Sequence, residues 1–229
     1  MLVMALTTGN PLLQPPGQAN FDLLLGDEPF VLVRGQLIFR KDGEVMVTQI
    51  SPELRYTAED YFQLPEGAPY QLIHGKLVYM PSPQYAHQRV INNLAMIVGV
   101  HVKQNKLGVT SVAPLDVHLD KDNVFQPDFL FISADRRHIL EVYVKGAPDL
   151  VVEVLSHLST ADKDRTEKLV AYGQHGVREY WIIDPEAVRL EIYRNHDGKL
   201  LPEQTITSGE VQSQVIEGLA FDLEELWEE

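Results

Sequence analysis

The run DLVVEVLS, residues 149–156, constrains the fold more than any other stretch of the chain. Its valines and leucines leave no polar side for solvent, which predicts a buried strand near the centre of a sheet. Glu153 nevertheless lies in the middle of this run. An ionised carboxylate is costly to bury unless a cation, a metal ion or hydrogen bonds compensate it. The sequence must therefore supply a partner for Glu153, or the end of the strand must open onto a cleft.

The patterns on either side of this strand predict a mixed sheet with helices packed on it. A helix is indicated by YAHQRVINNLAMIVGVHVKQN, whose apolar residues recur at helical spacing. Two strands are predicted in VTSVAPLDVHL and VFQPDFLFIS, joined as a hairpin by the turn-prone DKDN. After Glu153, a second long helix is predicted, with a Ser159-x-x-Asp162 start signal and an end near Gly173 and Gly176. EYWIID and VRLEIYR then add two strands, so the fold class is α/β.

The first 50 residues differ from the rest and predict a separate extension. PFVLVRGQLIFR (29–40) and PYQLIHGKLVYM (69–80) resemble each other in register, and each predicts a pair of short strands around a turn glycine. We therefore expect residues 1–50 to form an N-terminal extension with a hairpin, and residues 51–229 to form the main domain.

Composition limits the compartment and the partners. The chain has 229 residues, of which 45% are hydrophobic, and no segment approaches the roughly 18 consecutive apolar residues of a membrane span. It contains no cysteine, which excludes disulfides and thiolate zinc sites and is compatible with the cytoplasm. The formal charge of -14 opposes non-specific attraction to nucleic acid. Any function on nucleic acid must therefore rest on a local basic patch or on bound metal ions.

Strand alternation sets two acids towards one point. Asp128 shares a face with Leu130 and Ile132, while Glu153 lies on one face near the C-terminal end of its strand. If the two strands are neighbours, the carboxylates of Asp128 and Glu153 converge. Converging carboxylates repel each other unless a proton or a hard cation lies between them, so Mg²⁺ or Mn²⁺ is the expected third member.

Basic residues near these acids complete the predicted site. Arg165 and Lys168 lie three apart in the helix after Glu153 and so on neighbouring parts of one helical face. His87 begins the first long helix, close to where that helix would meet the site. Asp149 lies four residues before Glu153, about 13 Å away along a strand, so a structural role is expected for it.

Six stretches taken together resemble the Uma-type putative restriction endonucleases of the PD-(D/E)xK nuclease superfamily, which are common in cyanobacteria. These stretches are TAEDYFQLP, MPSPQYAHQRV, QPDFLFIS, APDLVVEVLS, DRTEKLVAYGQHGVREYWIIDP and IEGLAFDL. The resemblance spans roughly residues 56–229 and implies a restriction endonuclease-like core. It also implies a homodimer that hydrolyses DNA phosphodiester bonds with Mg²⁺ or Mn²⁺.

Carried over position by position, the family's metal-binding acids fall on Asp128 and Glu153. The lysine of the family's E-x-K element would stand at Leu155, so Lys168 in the following helix becomes the candidate lysine. Relatives usually carry acids where this chain has Gln71 and Lys76. The Gln71 amide oxygen can still orient a water molecule or a metal ligand, but without charge.

Two functions remain open from the sequence. The first is a metal-dependent DNA endonuclease, with Asp128, Glu153 and Lys168 as catalytic residues and Gln71, His87 and Arg165 in support. The second is a catalytically inactive descendant that keeps the fold as a dimeric binding module, which the acidic charge and the residues Gln71 and Lys76 favour. A nuclease is expected to show a basic rim around the two acids, formed by Arg89, Arg165 and Lys168.

Overall fold

The structure is a computed structural model that describes residues 4–5, 30–33, 36–41, 44–49, 55–65, 67–80, 82–155 and 164–228. Its strands are, in chain order, β1 (Met4–Ala5), β2 (Phe30–Val33), β3 (Gln36–Lys41), β4 (Glu44–Gln49), β5 (Tyr70–Ile73), β6 (Lys76–Tyr79), β7 (Gly108–Val112), β8 (Val117–Asp120), β9 (Asn123–Phe125), β10 (Phe129–Ser133), β11 (Val144–Lys145), β12 (Leu150–Val154), β13 (Glu179–Asp184), β14 (Arg189–His196), β15 (Lys199–Ile206), β16 (Glu210–Gln212) and β17 (Ala220–Asp222). Its α-helices are α1 (Ala58–Tyr61), α2 (Tyr85–Gln104) and α3 (Leu169–His175). Two 3-10 helices, Ala134–Ile139 and Leu223–Trp227, and a π-helical turn, Asp164–Lys168, complete the list.

A six-stranded mixed sheet carries the core, in the order β15-β14-β13-β12-β10-β7. Only β12 and β13 run parallel, and each other neighbouring pair in this sheet is antiparallel. A second sheet has the order β11-β8-β9-β5-β6 and packs beside the first. The predicted α/β fold with a mixed sheet and flanking helices is confirmed.

The strand β12 lies inside the six-stranded sheet, and all five of its residues are buried. On one face, Leu150, Val152 and Val154 join the apolar side of α2 in one cluster. On the other face, Val151 packs with α3 and with residues of the five-stranded sheet. The prediction of a buried strand is confirmed, because helix and sheet cover the two faces and leave no side for solvent.

The first long helix is confirmed as α2, residues Tyr85–Gln104. Val90, Leu94, Val98 and Val102 are buried against the sheet, as their spacing predicts. Of the second predicted helix, the start signal at residues 159–162 lies outside the described residues. Its end is confirmed, since Gly176 caps α3 with a φ of 91°, a left-handed conformation that glycine adopts without steric cost.

The predicted hairpin of two long strands is wrong in one respect. The DKDN turn does join β8 to β9, but β7 and β10 belong to the other sheet. Pro114 interrupts the first predicted strand and Pro127 the second. A proline has no N–H for the ladder, so each chain segment leaves one sheet at its proline and continues in the other.

Both predicted hairpins of the N-terminal half are present. β2 pairs with β3 and β5 pairs with β6, each in antiparallel register. β1 to β4 form a separate four-stranded sheet, and Phe39 of β3 packs on Tyr70 of β5. The proposed domain boundary near residue 50 stays a prediction.

Within the described residues, no helix is both long enough and apolar enough to span a membrane.

Candidate functional site

Two neighbouring strands bring Asp128 and Glu153 together at one end of the sheet. β10 and β12 are antiparallel, with Phe129 opposite Val152. Continuing this register by one residue sets Asp128 beside Glu153. The backbone N–H of Val154 donates a hydrogen bond of 2.7 Å to Oδ2 of Asp128. The prediction that these two strands are neighbours is therefore confirmed, and the two acids lie level with each other.

His87 holds the Asp128 carboxylate from the other side. Its Nε2 lies 3.2 Å from Oδ2 of Asp128, and its ring is only 8% exposed. His87 is in the first turn of α2, whose start therefore meets the start of β10. Both contacts of Asp128 use Oδ2, and no hydrogen bond from a described residue reaches Oδ1. This second oxygen is thus available to a ligand.

Glu153 has the partner that its burial requires. The Lys168 ammonium lies 2.9 Å from Oε1 of Glu153, and the Tyr172 hydroxyl donates to the same oxygen at 3.1 Å. The exposed fractions of Glu153 and Lys168 are 4% and 2%. Two charges this deep need close pairing and added hydrogen bonds, because desolvation alone would destabilise the fold.

Tyr172 is a site residue that the sequence analysis missed. It stands four residues after Lys168, so both side chains leave the same side of the helix. Phe125 packs edge-to-face on the Tyr172 ring, with ring centroids 5.0 Å apart, and helps to fix its position. Helical spacing from Lys168 was the signal that could have found it.

Gln71 is buried with an unsatisfied oxygen. Its exposed fraction is 2%, and its Oε1 has no hydrogen-bond partner among the described residues. Alternation along β5 puts Gln71 on the same face as Ile73, which packs with Val151 and Leu155 of the Glu153 strand. Buried amide oxygens without a partner are rare and need an explanation, such as a bound ion or water. Lys76, the second departure from the family pattern, is exposed.

Arg165 does not pair with either acid of the site. Its guanidinium lies 3.0 Å from Glu191 and 3.9 Å from Asp184. Burial would raise the pKa of the Glu191 carboxyl, but hydrogen bonds from Arg165 and Tyr193 outweigh it and hold this pKa below its usual value. Glu191 lies opposite Ile182, which in turn lies beside Glu153, so this cluster is two strands away from the site.

The basic rim expected of a nuclease stays a prediction, and the cations named for it are engaged within the protein. Lys168 is buried on Glu153, and Arg165 is bound by two acids. The guanidinium of Arg89 lies over the Tyr85 ring, 5.9 Å from its centroid. Each of these cations has a partner within the protein, so none of them forms a free positive surface around the acids.

The site was tested for its fit to a divalent metal ion. In the part of the chain that the structure describes, no group of three or more His, Asp or Glu side chains has a ligating arrangement. Asp128 and Glu153 lie level on neighbouring strands, and the unsatisfied Oε1 of Gln71 is on a strand of the other sheet. Carboxylate and amide oxygens are the ligands that Mg²⁺ and Mn²⁺ prefer. The chemistry of these side chains suits a hard cation, although the described side chains are not arranged around one point as ligands.

Comparison with known proteins identifies the family. A family model described as Uma2, putative restriction endonuclease, matches residues 58–224. The chain belongs to this family. The matched region contains all of the candidate site residues and leaves β1 to β4 outside it. No curated protein sequence matches the chain.

A solved structure supports the fold of this family member. The crystal structure of a putative nuclease belonging to DUF820 from Anabaena variabilis ATCC 29413 superposes with a TM-score of 0.65. The two sequences are 22% identical, and the match covers 75% of this chain and 97% of the other. At this identity the likeness shows the fold.

Proposed function

We propose that the protein is a metal-dependent endonuclease that hydrolyses DNA phosphodiester bonds. Asp128 and Glu153 would hold Mg²⁺ or Mn²⁺, and Lys168 would assist. The observation that carries this proposal is the pair of acids set level on neighbouring strands, with a buried lysine 2.9 Å from one of them. Membership in a family described as restriction endonucleases supports it.

Each residue has a chemical role that its contacts allow. The bound metal ion would polarise the phosphate and lower the pKa of a water molecule. The Lys168 ammonium lies 2.9 Å from Glu153, and its charge would stabilise negative charge that develops on the phosphate oxygens. His87 and the Val154 N–H both hold Oδ2 of Asp128 and turn Oδ1 towards the ligand. Gln71 would add a neutral oxygen.

A second candidate function is a binding module that keeps the nuclease fold without turnover. One observation favours it: the Lys168 ammonium already neutralises Glu153, so the fold can keep this acid without any metal ion. Gln71 also contributes no charge to a metal site. This alternative predicts that Mn²⁺ does not bind and that no DNA is cut.

Cleavage of plasmid and single-stranded DNA with Mg²⁺, Mn²⁺ or EDTA tests the proposal. Asp128→Asn is the variant of the site. Asp116→Asn is a matched control, because Asp116 is also half-buried and accepts hydrogen bonds from Tyr61 and Gln126 at 2.7 and 2.8 Å. We expect wild type and Asp116→Asn to cut with metal, and Asp128→Asn to be inert. Equal inertness of all three proteins with added Mg²⁺ or Mn²⁺ would favour the binding module.

The remaining parts of the proposal concern assembly and compartment. Restriction-like nucleases commonly cut as dimers, so we propose that this protein is a homodimer. We also propose that it acts in the cytoplasm. Light scattering of the full chain measures the assembly: a mass of twice the chain's 25.9 kDa supports the dimer, and a mass of one chain contradicts it.

A further inference from the structure

A basic pocket opens at the opposite end of the six-stranded sheet from the two acids. Its volume is about 480 Å³, and it lies where α2, the start of β7 and the 3-10 helix Ala134–Ile139 meet. The described residues that line it are Gly99, Val102, Lys103, Lys106, Gly108, Val109, Thr110, Ala134 and Arg137. Three of these side chains are cations, and no acid is among them.

Among the described residues, the three cations of this pocket have no acidic partner. Lys103, Lys106 and Arg137 are exposed, and within the described part of the chain none of them forms an ion pair. This contrasts with the cations around Glu153, which are all engaged. The chain as a whole has a net charge of -14, whereas the lining of this pocket is positive. This local positive charge favours an anion as the ligand.

Backbone conformation and the helix dipole do not explain why all three of these positions carry a cation. Lys106 has a φ of 56°, a left-handed conformation just after the end of α2 where glycine or asparagine is usual. Gly108 is required by space, since a Cβ there would lie 2.1 Å from the carbonyl oxygen of Ile132. Lysines at a helix C-terminus do complement the helix dipole, which accounts for Lys103. Arg137 comes from a different element, and the dipole of α2 gives no reason for it.

The distance to the acids matches one stretch of DNA. Thr110 of the pocket lies opposite Phe131 on β10, three residues beyond Asp128. At about 3.3 Å per residue this is about 10 Å along the strand. The cations lie farther away: His87 contacts Asp128 at the start of α2, and Lys103 lies 16 residues along the same helix, about 24 Å away at 1.5 Å per residue, or roughly seven steps of a DNA strand at 3.4 Å of axial rise each. The pocket and the acids can therefore contact one nucleic acid molecule together.

We infer that Lys103, Lys106 and Arg137, with the Thr110 hydroxyl beside them, bind a backbone phosphate of DNA away from the cleavage centre. The choice of DNA rests on the proposed function, whereas the choice of phosphate rests on the pocket. Lysine and arginine contacts to phosphate give affinity and register without reading the base sequence. The net charge of the chain repels DNA, and the pocket supplies a local positive charge that attracts it.

The test is DNA binding by the full chain in EDTA, measured by fluorescence anisotropy with a labelled 20-base-pair duplex over a range of KCl concentrations. The pocket variant combines Lys103→Gln, Lys106→Gln and Arg137→Gln. The control variant combines Lys121→Gln, Lys145→Gln and Lys199→Gln, three exposed lysines outside the pocket, so both variants lose three charges. Thermal unfolding of each protein is measured to check that both variants are folded.

We expect the pocket variant to bind at least tenfold more weakly than wild type at about 0.1 M salt, and the control to change by less than about threefold. The slope of log K against log salt should fall by about 2 to 3 in the pocket variant only. Equal losses in both variants, or no DNA binding by wild type, would overturn the inference. Displacement of DNA by inorganic phosphate far better than by sulfate at equal ionic strength would also overturn it, because the pocket would then take free phosphate.

The binding assay separates this inference from the nuclease proposal. Because EDTA removes divalent metal, the binding result does not depend on cleavage. A wild-type protein that binds DNA through the pocket but never cuts would support the pocket and contradict the nuclease. A protein that cuts, and whose pocket variant binds and cuts like the control, would support the nuclease and contradict the pocket.

Discussion

Asp149 and Glu153 are two acids on the same face of β12, four residues apart, and their surroundings differ. Asp149 is fully buried, and both its oxygens are occupied: the Ser133 N–H and hydroxyl donate to Oδ2, each at 2.8 Å, and Arg136 and Arg178 donate to Oδ1 at 2.9 and 3.2 Å. At Glu153, Lys168 and Tyr172 both contact Oε1. It also lies beside a second acid, Asp128, one oxygen of which accepts no hydrogen bond from a described residue.

The difference separates an acid that stabilises the fold from one that can do chemistry. Donors surround Asp149 on all sides, which leaves no position for a ligand and fixes the start of β12 to the end of β10. Glu153 is paired well enough to be buried, yet it stands at the strand end next to a carboxylate with an open position. Burial in a central strand therefore does not by itself mark an acid as a candidate for catalysis, whereas a second acid on the neighbouring strand supports the proposal for Glu153.

The largest expected effect is the loss of DNA cleavage in the Glu153→Gln variant. The substitution keeps an oxygen for Lys168 and Tyr172 but removes the negative charge that would hold the metal ion. We expect the rate of metal-dependent DNA cleavage to fall at least 100-fold, while Asp149→Asn at a temperature where it is folded keeps the rate within about threefold. Plasmid nicking rates of the two purified variants measure this. Equal losses in both would remove the distinction between the two acids.

The free energy of unfolding should fall in both variants. In Asp149→Asn the amide nitrogen must face either Ser133 or the two arginines, all of which are donors, so we expect a loss of about 3 kcal/mol. Glu153→Gln leaves the Lys168 ammonium, which is only 2% exposed, beside a neutral amide, so we expect a loss of about 3 kcal/mol here as well. Urea denaturation followed by circular dichroism gives both values. A loss below about 1 kcal/mol in Glu153→Gln would show that the buried pair with Lys168 does not stabilise the fold.

The stability that Asp149 provides should disappear in acid. Burial would raise the pKa of Asp149, but hydrogen bonds from Ser133 and Arg136 and the charge of Arg136 outweigh it and hold the pKa below the usual 3.8. A carboxyl with a lowered pKa in the folded state stabilises the fold above its unfolded value, and this contribution is lost as the pH falls through the folded value. The difference in stability between wild type and Asp149→Asn should therefore be full at pH 7 and shrink below about pH 4. Urea denaturation at pH 7, 5, 4 and 3 measures it; a constant difference would contradict this assignment.

Gln71→Glu should tighten metal binding by about tenfold. The change adds a third carboxylate in place of a buried amide, and more charged ligands bind a divalent ion more strongly. Calorimetric titration with Mn²⁺ compares the variant with wild type. Lys76→Glu is the control, because Lys76 is exposed and should leave the affinity unchanged. If the control tightens binding as much as Gln71→Glu, the effect is general charge and Gln71 is not at the site.

The smallest effect is expected for His87→Asn. This change shortens the side chain that holds Oδ2 of Asp128 but leaves the Val154 N–H in place. Residues that orient a metal ligand typically change affinity by about tenfold or somewhat more, and we expect the lower end here because one of two holding contacts remains. Mn²⁺ titration and cleavage rates should fall together. An unchanged Mn²⁺ affinity with lower activity would instead give His87 a role on the substrate.

Much of this site could be predicted from the sequence, because period-2 alternation fixes which residues share a face. That rule placed Glu153 with Val151, and Asp128 with Leu130, before any contact was known. The length and period of α2 were equally clear. The split of two strands at Pro114 and Pro127 was visible in principle, since each proline ends a ladder, but the sheet in which each half continues depends on tertiary packing.

Contacts between distant segments could not be predicted. The pairing of Arg165 with Glu191 depends on which strand lies under the helix, and sequence spacing does not determine this. The burial of Gln71 beside the Glu153 strand depends on the packing of one sheet on another. The basic pocket likewise joins residues of three elements, and none of them is unusual alone.

The most direct test of the account is a calorimetric titration with Mn²⁺ of wild type, Glu153→Gln and Asp149→Asn under identical conditions. If Asp128 and Glu153 form a metal site, wild type and Asp149→Asn bind one ion per chain, and Glu153→Gln binds at least 100-fold more weakly. The same titration curve for all three proteins would contradict the account, and so would a wild-type protein that binds no Mn²⁺.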